Sequence, residues 1–210
     1  THLNTLITDL GALVKKVEQL GFTQTIEQVA YSWFNRLCAI RYMELHDYLD
    51  HGRRVLSHPD HATGYQILDD CLEVALPGLD KNSVRELKLD GTKDEELYRE
   101  LLLAQCHALH QAMPFLFETI DDETELLLPE NLTKTDSLIH DLTTEIPEED
   151  WQSVEIIGWL YQFYISEKKD QVIGKVVKSE DIPAATQLFT PNWIVKYMVQ
   201  NSLGAQWLAT

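Results

Sequence analysis

Apolar residues recur along most of the chain at helical spacing, and the strict alternation typical of strands is rare. Near the N terminus they form a stripe of three- and four-residue steps, which Gly21 ends (Leu6, Leu10, Leu13, Val14, Val17, Leu20). A longer and more apolar segment runs from Thr23 to Tyr48, and Gly52 follows it. Because aromatic residues such as Trp33 widen its apolar face, this segment is predicted to be the central helix of a core.

The same spacing predicts a second strong helix from Glu95 to Ala112, with acidic residues in the first turn, where the helix dipole favours negative charge. Short helices are predicted at 65–76 and 83–87, after a loop rich in turn residues. Asp150 is predicted to cap a helix that reaches Ile165, and a last helix is predicted from 192 to about 202. The fold class is therefore predicted to be all-α, a bundle of about seven to ten helices.

Charge is distributed unevenly along this 210-residue chain, which carries 34 acidic residues, 17 basic residues and a net charge of −17. That balance argues against a protein whose whole surface coats DNA or an anionic membrane. Between Glu118 and Asp150 there are twelve acidic residues and one lysine. Solvent-facing helix ends and loops would explain this segment, and a surface that imitates DNA or docks a partner is the sharper alternative.

One stretch is persistently basic and supplies four candidate DNA phosphate contacts (Lys168, Lys169, Lys175, Lys178). The alternative is a solvated helix face on which acidic neighbours such as Asp170 pair with these lysines.

The cysteines and histidines predict no metal site. Three scattered cysteines, at 38, 71 and 106, do not form a disulfide framework and favour a reducing, cytoplasmic compartment. Cys106, His107 and His110 share one predicted helix, but a further ligand would have to come from elsewhere, so a buried polar-tipped helix is the favoured interpretation. No signal peptide is recognised, and the longest uncharged stretch, 101–117, has too many polar residues for a good membrane span.

The most informative segment runs from Thr186 to Trp193. Thr190 followed by Pro191 predicts the N-cap and first residue of a helix. The free N–H groups of such a helix start form a small anion site, for which a carboxylate is a natural guest, and Phe189 can cover an apolar ligand surface beside it. The chain has no G-x-G turn, no phosphate-binding G-x-x-x-x-G-K loop and no Pro-Pro pair.

Residues 187–191, Gln-Leu-Phe-Thr-Pro, resemble the Phe-Thr-Pro element of gamma-class adenine-specific DNA methyltransferases. Further segments are similar to the N-terminal helical domain of the adenine methyltransferases of BREX phage-defence systems (31–44, 96–102, 112–117, 158–164, 182–187). The resemblance spans nearly the whole chain. It implies S-adenosyl-L-methionine as cofactor, bound with the help of Phe189, Thr190 and Pro191, and double-stranded DNA as substrate.

The resemblance also implies a division into a helical N-terminal domain, 1–181, and the start of a methyltransferase domain, 182–210. Catalysis in that family requires a glycine-bearing cofactor loop and an Asn-Pro-Pro-Tyr-type motif that holds a flipped adenine, and this chain contains neither. The chain also begins at Thr1 rather than Met. We therefore expect a truncated N-terminal region of a site-specific adenine-N6 methyltransferase that is inactive alone and contains no catalytic residue.

Two other functions are compatible with the residues themselves. The first is a non-enzymatic acidic helical module that docks a defence-system partner or mimics DNA. The second is a helical scaffold with no ligand of its own. If the chain belongs to a methyltransferase, we expect double-stranded DNA as its partner, together with other BREX proteins or phage inhibitors that mimic DNA. No membrane partner is expected.

Overall fold

The computed structural model describes residues 2–114, 117, 125–174, 182–186 and 188–209, without the side chains of residues 2–6, 167, 168, 171 and 183. In chain order the helices are α1 (His2–Leu20), α2 (Phe22–Leu45), α3 (Gln66–Asp69), α4 (Lys81–Asp90), α5 (Asp94–Ala112), α6 (Leu138–Thr144), a 3-10 helix (Glu148–Gln152), α7 (Glu155–Val172), α8 (Ile182–Thr186), α9 (Asn192–Val199), a π-helical turn (Gln200–Gly204) and α10 (Ala205–Ala209). No strand occurs among these residues, and the all-α prediction is confirmed.

The long helices predicted from apolar spacing are present with nearly the predicted bounds, and α2, the strongest of them, runs from Phe22 to Leu45 against a predicted 23–48. α1 ends before Gly21, whose φ of 86° places it in the left-handed region that glycine adopts without strain. α5 begins one residue before the predicted start and carries Asp94, Glu95 and Glu96 in its first turn. Long apolar periodicity therefore located these elements correctly.

Two predicted helix bounds are wrong. The helix expected over 65–76 is only the four-residue α3, because turns follow it from Asp70 onwards. Asp150 does not cap a helix: it lies inside the 3-10 helix, and α7 begins at Glu155 with no side-chain cap. The residue before α7, Val154, already has helical φ and ψ of −59° and −17°, so the extended conformation that a capping side chain needs is absent there.

The chain forms two compact units, residues 1–149 and residues 150–210. The boundary that the resemblance implied, between 181 and 182, adjoins a segment outside the described ranges and stays a prediction.

Unit 1 has a large core to which α2 and α5 contribute more side chains than any other helix. Trp33, Leu37 and Ile40 of α2 are buried, as the predicted central helix requires. Leu97 and Leu101 of α5 are completely buried in the same cluster. Burial of these side chains is the main stabilising contribution to unit 1, since each fully buried leucine contributes about 1.5–3 kcal/mol.

A buried ion pair fixes the loop that follows α2. The Arg41 Nη1 group donates to Glu44 Oε1 at 2.6 Å, and both side chains are almost fully buried. The other carboxylate oxygen of Glu44 accepts from the backbone N–H groups of Val55 and Leu56, each at 2.7 Å. Burial raises the pKa of Glu44, while Arg41 and the Leu56 N–H act in the opposite direction. The loop backbone is thereby satisfied inside the core.

Candidate functional site

The segment predicted to bind a cofactor lies in unit 2, in the connection before α9. Pro191 is the N-cap of this helix, with φ −53° and ψ 139°, and its carbonyl accepts from the N–H of Ile194 at 3.0 Å. The predicted arrangement, with Thr190 as N-cap and Pro191 as first helical residue, is therefore wrong by one position. The extended ψ of Pro191 keeps that residue outside the helix, so α9 begins at Asn192.

The cap of α9 comes from a different helix. Pro191 has no side-chain acceptor to offer, and the Asn192 N–H donates instead to Glu155 Oε1 in the first turn of α7, at 2.7 Å. A carboxylate at this position also interacts favourably with the positive end of the α9 dipole. The sequence did not indicate this contact, because the two residues are 37 positions apart.

Phe189 packs on the same helix. Its ring is half-buried and lies edge-to-face with Trp159, with centroids 5.4 Å apart. A Cβ atom added to Gly158 would overlap ring atoms Cε2, Cδ2 and Cζ of Phe189, so the ring occupies the space that a side chain at 158 would need. A glycine inside a helix costs about 0.5–1 kcal/mol relative to alanine, and this packing accounts for its presence.

Thr190 lies exposed between these two contacts, and Pro191 is half-buried. The residue before a proline is restricted to extended conformations, and the proline ring fixes its own φ. Phe189, Thr190 and Pro191 therefore lie directly before α9 or at its N-cap, and Thr190 is the most exposed of the three.

The candidate DNA-contacting lysines are only partly described. Lys168 and Lys169 lie near the end of α7, where the Lys169 carbonyl accepts from the N–H of Ile173 at 2.9 Å. A lysine in the last turn of a helix is also favourable to the helix dipole. Lys175 and Lys178 lie outside the described residues.

The cysteine and the two histidines on α5 are buried in unit 1 or contact other residues of it. Cys106 is buried, and burial raises the pKa of its thiol to about 12. His107 Nε2 is 3.3 Å from Glu125 Oε1, and His110 Nδ1 is 2.6 Å from the carbonyl oxygen of Phe117. In the described part of the chain no group of three or more metal-ligating side chains comes together.

Unit 1 contains a polar cavity of about 490 Å³ between the loop after α2 and the segment around α6. Arg41 lines it, and so do Asp94 and Glu148. Glu148 accepts from Arg41 Nη2 at 3.2 Å and from Arg54 Nη1 at 2.6 Å, so both guanidinium groups already have an acidic partner. One lining arginine against two lining carboxylates does not give the positive charge expected of a phosphate site.

Part of the acidic segment 118–150 packs into the core of unit 1. In its described portion, Leu128, Leu132 and Ile139 are buried in the core of unit 1. Glu148 bridges the two arginines named above. The interpretation as solvent-facing ends and loops therefore holds only for some of its residues.

The helices at the end of unit 2 expose several large apolar side chains (Trp193, Tyr197, Met198, Leu203, Trp207, Leu208). Trp193 is 70% exposed and Trp207 is 81% exposed. Large apolar side chains exposed in such number on neighbouring helical segments are typical of an interaction site. Among the helices that the structure describes, none combines the length and the apolar character needed to cross a bilayer.

The class indicated by the sequence resemblance is that of the adenine-specific methyltransferases, and two proteins with that name are similar to this chain. Over 200 residues the chain is 68% identical to the adenine-specific methyltransferase BrxX of Escherichia coli O9:H4 (strain HS), and these residues cover 94% of this chain. Over 217 residues it is 42% identical to the adenine-specific methyltransferase PglX of Lacticaseibacillus casei (strain Zhang), covering 97% of this chain. The resemblance predicted from the sequence is confirmed.

The chain spans 17% of the length of BrxX and 18% of that of PglX. No family model matches the chain.

Proposed function

We propose that this chain is the helical N-terminal region of a site-specific adenine-N6 DNA methyltransferase, which uses S-adenosyl-L-methionine in a BREX-type phage defence. The supporting observation is the 68% identity to BrxX across almost the whole chain. At this identity the core and the surface contacts of unit 2 are expected to be shared with that relative.

Within this function, Phe189, Thr190 and Pro191 form the cofactor element, which contributes binding and not catalysis. Thr190 is exposed directly before the start of α9, where its hydroxyl suits the carboxylate of S-adenosyl-L-methionine as a hydrogen-bond donor. Phe189 and Pro191 shape the backbone around it. The cofactor supplies the methyl group, and this chain's residues hold and orient one end of the cofactor.

The remaining parts of the reaction lie outside this chain. No G-x-G loop and no Pro-Pro pair is present to bind the nucleoside or hold adenine, so we expect the isolated chain to transfer no methyl group. The exposed apolar side chains of α9 and α10 fit a surface that the rest of the methyltransferase covers. Double-stranded DNA is the proposed substrate, Lys168, Lys169, Lys175 and Lys178 are proposed phosphate contacts, and the cytoplasm is the proposed location.

The cofactor role is tested in the complete methyltransferase that carries this chain, by calorimetric titration with S-adenosyl-L-methionine. Thr190→Ala should weaken cofactor binding about tenfold, the usual size of a lost hydrogen bond to a charged group. Thr190→Ser keeps the hydroxyl and serves as the matched control, with near-parental affinity. Equal affinities for all three proteins would defeat the assignment of Thr190.

The alternative of an acidic module that docks a partner or mimics DNA has a different signature. A gel shift with duplex DNA and a pull-down of partner proteins, both with the purified chain, separate the two. Binding that weakens with salt favours the methyltransferase region. Capture of a defence-system protein without DNA affinity favours the acidic module.

A further inference from the structure

The cofactor element has two anchors on one face of α7. Glu155 and Gly158 are three residues apart, so they lie about one helical turn from each other on the same side. Glu155 accepts the N–H of Asn192, and Gly158 lies against the ring of Phe189. Thr190 and Pro191 bridge the two anchored positions.

The bridge between the anchors has little conformational freedom. Pro191 has the φ of −53° that its ring imposes, and Thr190 is restricted because a proline follows it. With both ends held by α7, the backbone carrying the Thr190 side chain is fixed before any ligand arrives. A group that is ordered in advance loses less entropy on binding.

We propose that Glu155 and Gly158 are positioning residues for the cofactor element: Glu155 holds the first turn of α9, Gly158 seats Phe189, and together they present the exposed Thr190 hydroxyl to the carboxylate end of the cofactor. This inference rests on the proposed function. In this arrangement Phe189 anchors the element on α7, and Thr190 contacts the ligand.

The anchoring contacts explain two features of α7 that its own stability does not require. A glutamate in a first helical turn is common, but the half-buried Glu155 supplies the acceptor that Pro191 lacks. The glycine at 158 weakens α7 as a helix and is retained where the Phe189 ring needs its missing side chain. Gly158→Ala should therefore disturb the element while favouring α7 itself.

The anchoring is tested first in the 210-residue chain by amide hydrogen exchange. Glu155→Ala should speed exchange at Asn192 about three- to tenfold, the usual effect of losing a cap. Glu155→Gln retains a carbonyl acceptor and should largely preserve the protection. Asp170→Ala removes an exposed carboxylate from the same helix and is the control, with unchanged exchange at Asn192.

The consequence is tested in the complete methyltransferase by calorimetric titration with S-adenosyl-L-methionine. Glu155→Ala and Gly158→Ala should each weaken binding about fivefold to tenfold with unchanged helix content by circular dichroism. Glu155→Gln and Asp170→Ala should stay within about twofold of the parent, because both leave the capping hydrogen bond available.

The two proposals fail in different ways. If Thr190→Ala weakens cofactor binding while Glu155→Ala and Gly158→Ala change neither exchange nor affinity, the positioning inference is overturned and the proposed function stands. If Glu155→Ala speeds exchange at Asn192 but neither it nor Thr190→Ala affects affinity, the element is anchored as described and its role in cofactor binding is wrong.

Discussion

The two units of the chain differ in how far their large side chains are buried. Unit 1 buries its large apolar side chains and even an arginine–glutamate pair, in which the Glu44 carboxylate accepts from Arg41 and from two backbone N–H groups. The end of unit 2 exposes two tryptophans and several aliphatic side chains, and the Phe-Thr-Pro element there depends on two contacts with α7. The difference indicates that buried contacts stabilise unit 1, whereas the end of unit 2 leaves large apolar side chains exposed.

The largest expected effect is the loss of the buried carboxylate in unit 1. Glu44→Ala leaves the Arg41 charge without its buried partner and two backbone N–H groups without their acceptor, so we expect a loss of about 3–5 kcal/mol in the free energy of unfolding. Glu73→Ala removes an exposed partner of Arg53 and should cost less than about 1 kcal/mol. Urea unfolding measures both. Comparable losses for the two variants would show that burial does not increase the cost of breaking the Arg41–Glu44 pair.

A pair of leucines tests the difference in burial between the units. Leu101 is fully buried in unit 1, and Leu208 is 87% exposed in unit 2. Leu101→Ala should lower the free energy of unfolding by about 2–5 kcal/mol through lost burial and a cavity. Leu208→Ala should change it by less than about 0.5 kcal/mol. A large loss at Leu208 would mean that the exposed helix is packed in solution.

The buried thiols of unit 1 predict a dependence on pH. Burial raises the pKa of Cys38 and that of Cys106 from 9.0 to about 12 in the folded chain. Because the folded pKa lies above the unfolded one, the stabilising contribution is complete below pH 9 and is lost as the pH rises towards 12.

Unfolding free energies measured between pH 8 and pH 10.5 should therefore fall with pH, and Cys38→Ala with Cys106→Ala should flatten the curve after correction for the cavities. Thiol reagents at pH 8 should label the cysteines of the unfolded chain far faster than those of the native chain. Rapid labelling of native Cys106 would contradict its burial.

The smallest expected effect on stability is at the candidate ligand contact itself. Thr190 is exposed and is not the N-cap of α9, so Thr190→Ala should change the free energy of unfolding by less than about 0.5 kcal/mol. Phe189→Ala is a poor substitute for this test, since it removes the packing on Gly158 and Trp159. A destabilisation of several kcal/mol by Thr190→Ala would show a structural role for that residue.

The sequence predicted the parts of the fold that depend on local spacing. α1, α2 and α5 are long and periodic, and their buried faces follow from that periodicity. The cap predictions at Asp150 and Thr190 were wrong, since capping depends on φ and ψ at single residues. The Glu155–Asn192 contact and the seat of Phe189 on Gly158 were not found, because each joins residues distant in the sequence and depends on how α7 packs.

The most direct test of the proposed function is hydrogen–deuterium exchange of the complete methyltransferase with and without S-adenosyl-L-methionine. We expect the cofactor to slow exchange in peptides that cover residues 188–199 and to leave peptides from α5, in the core of unit 1, unchanged. Saturating cofactor with no change at 188–199 would contradict the assignment of this element to cofactor binding.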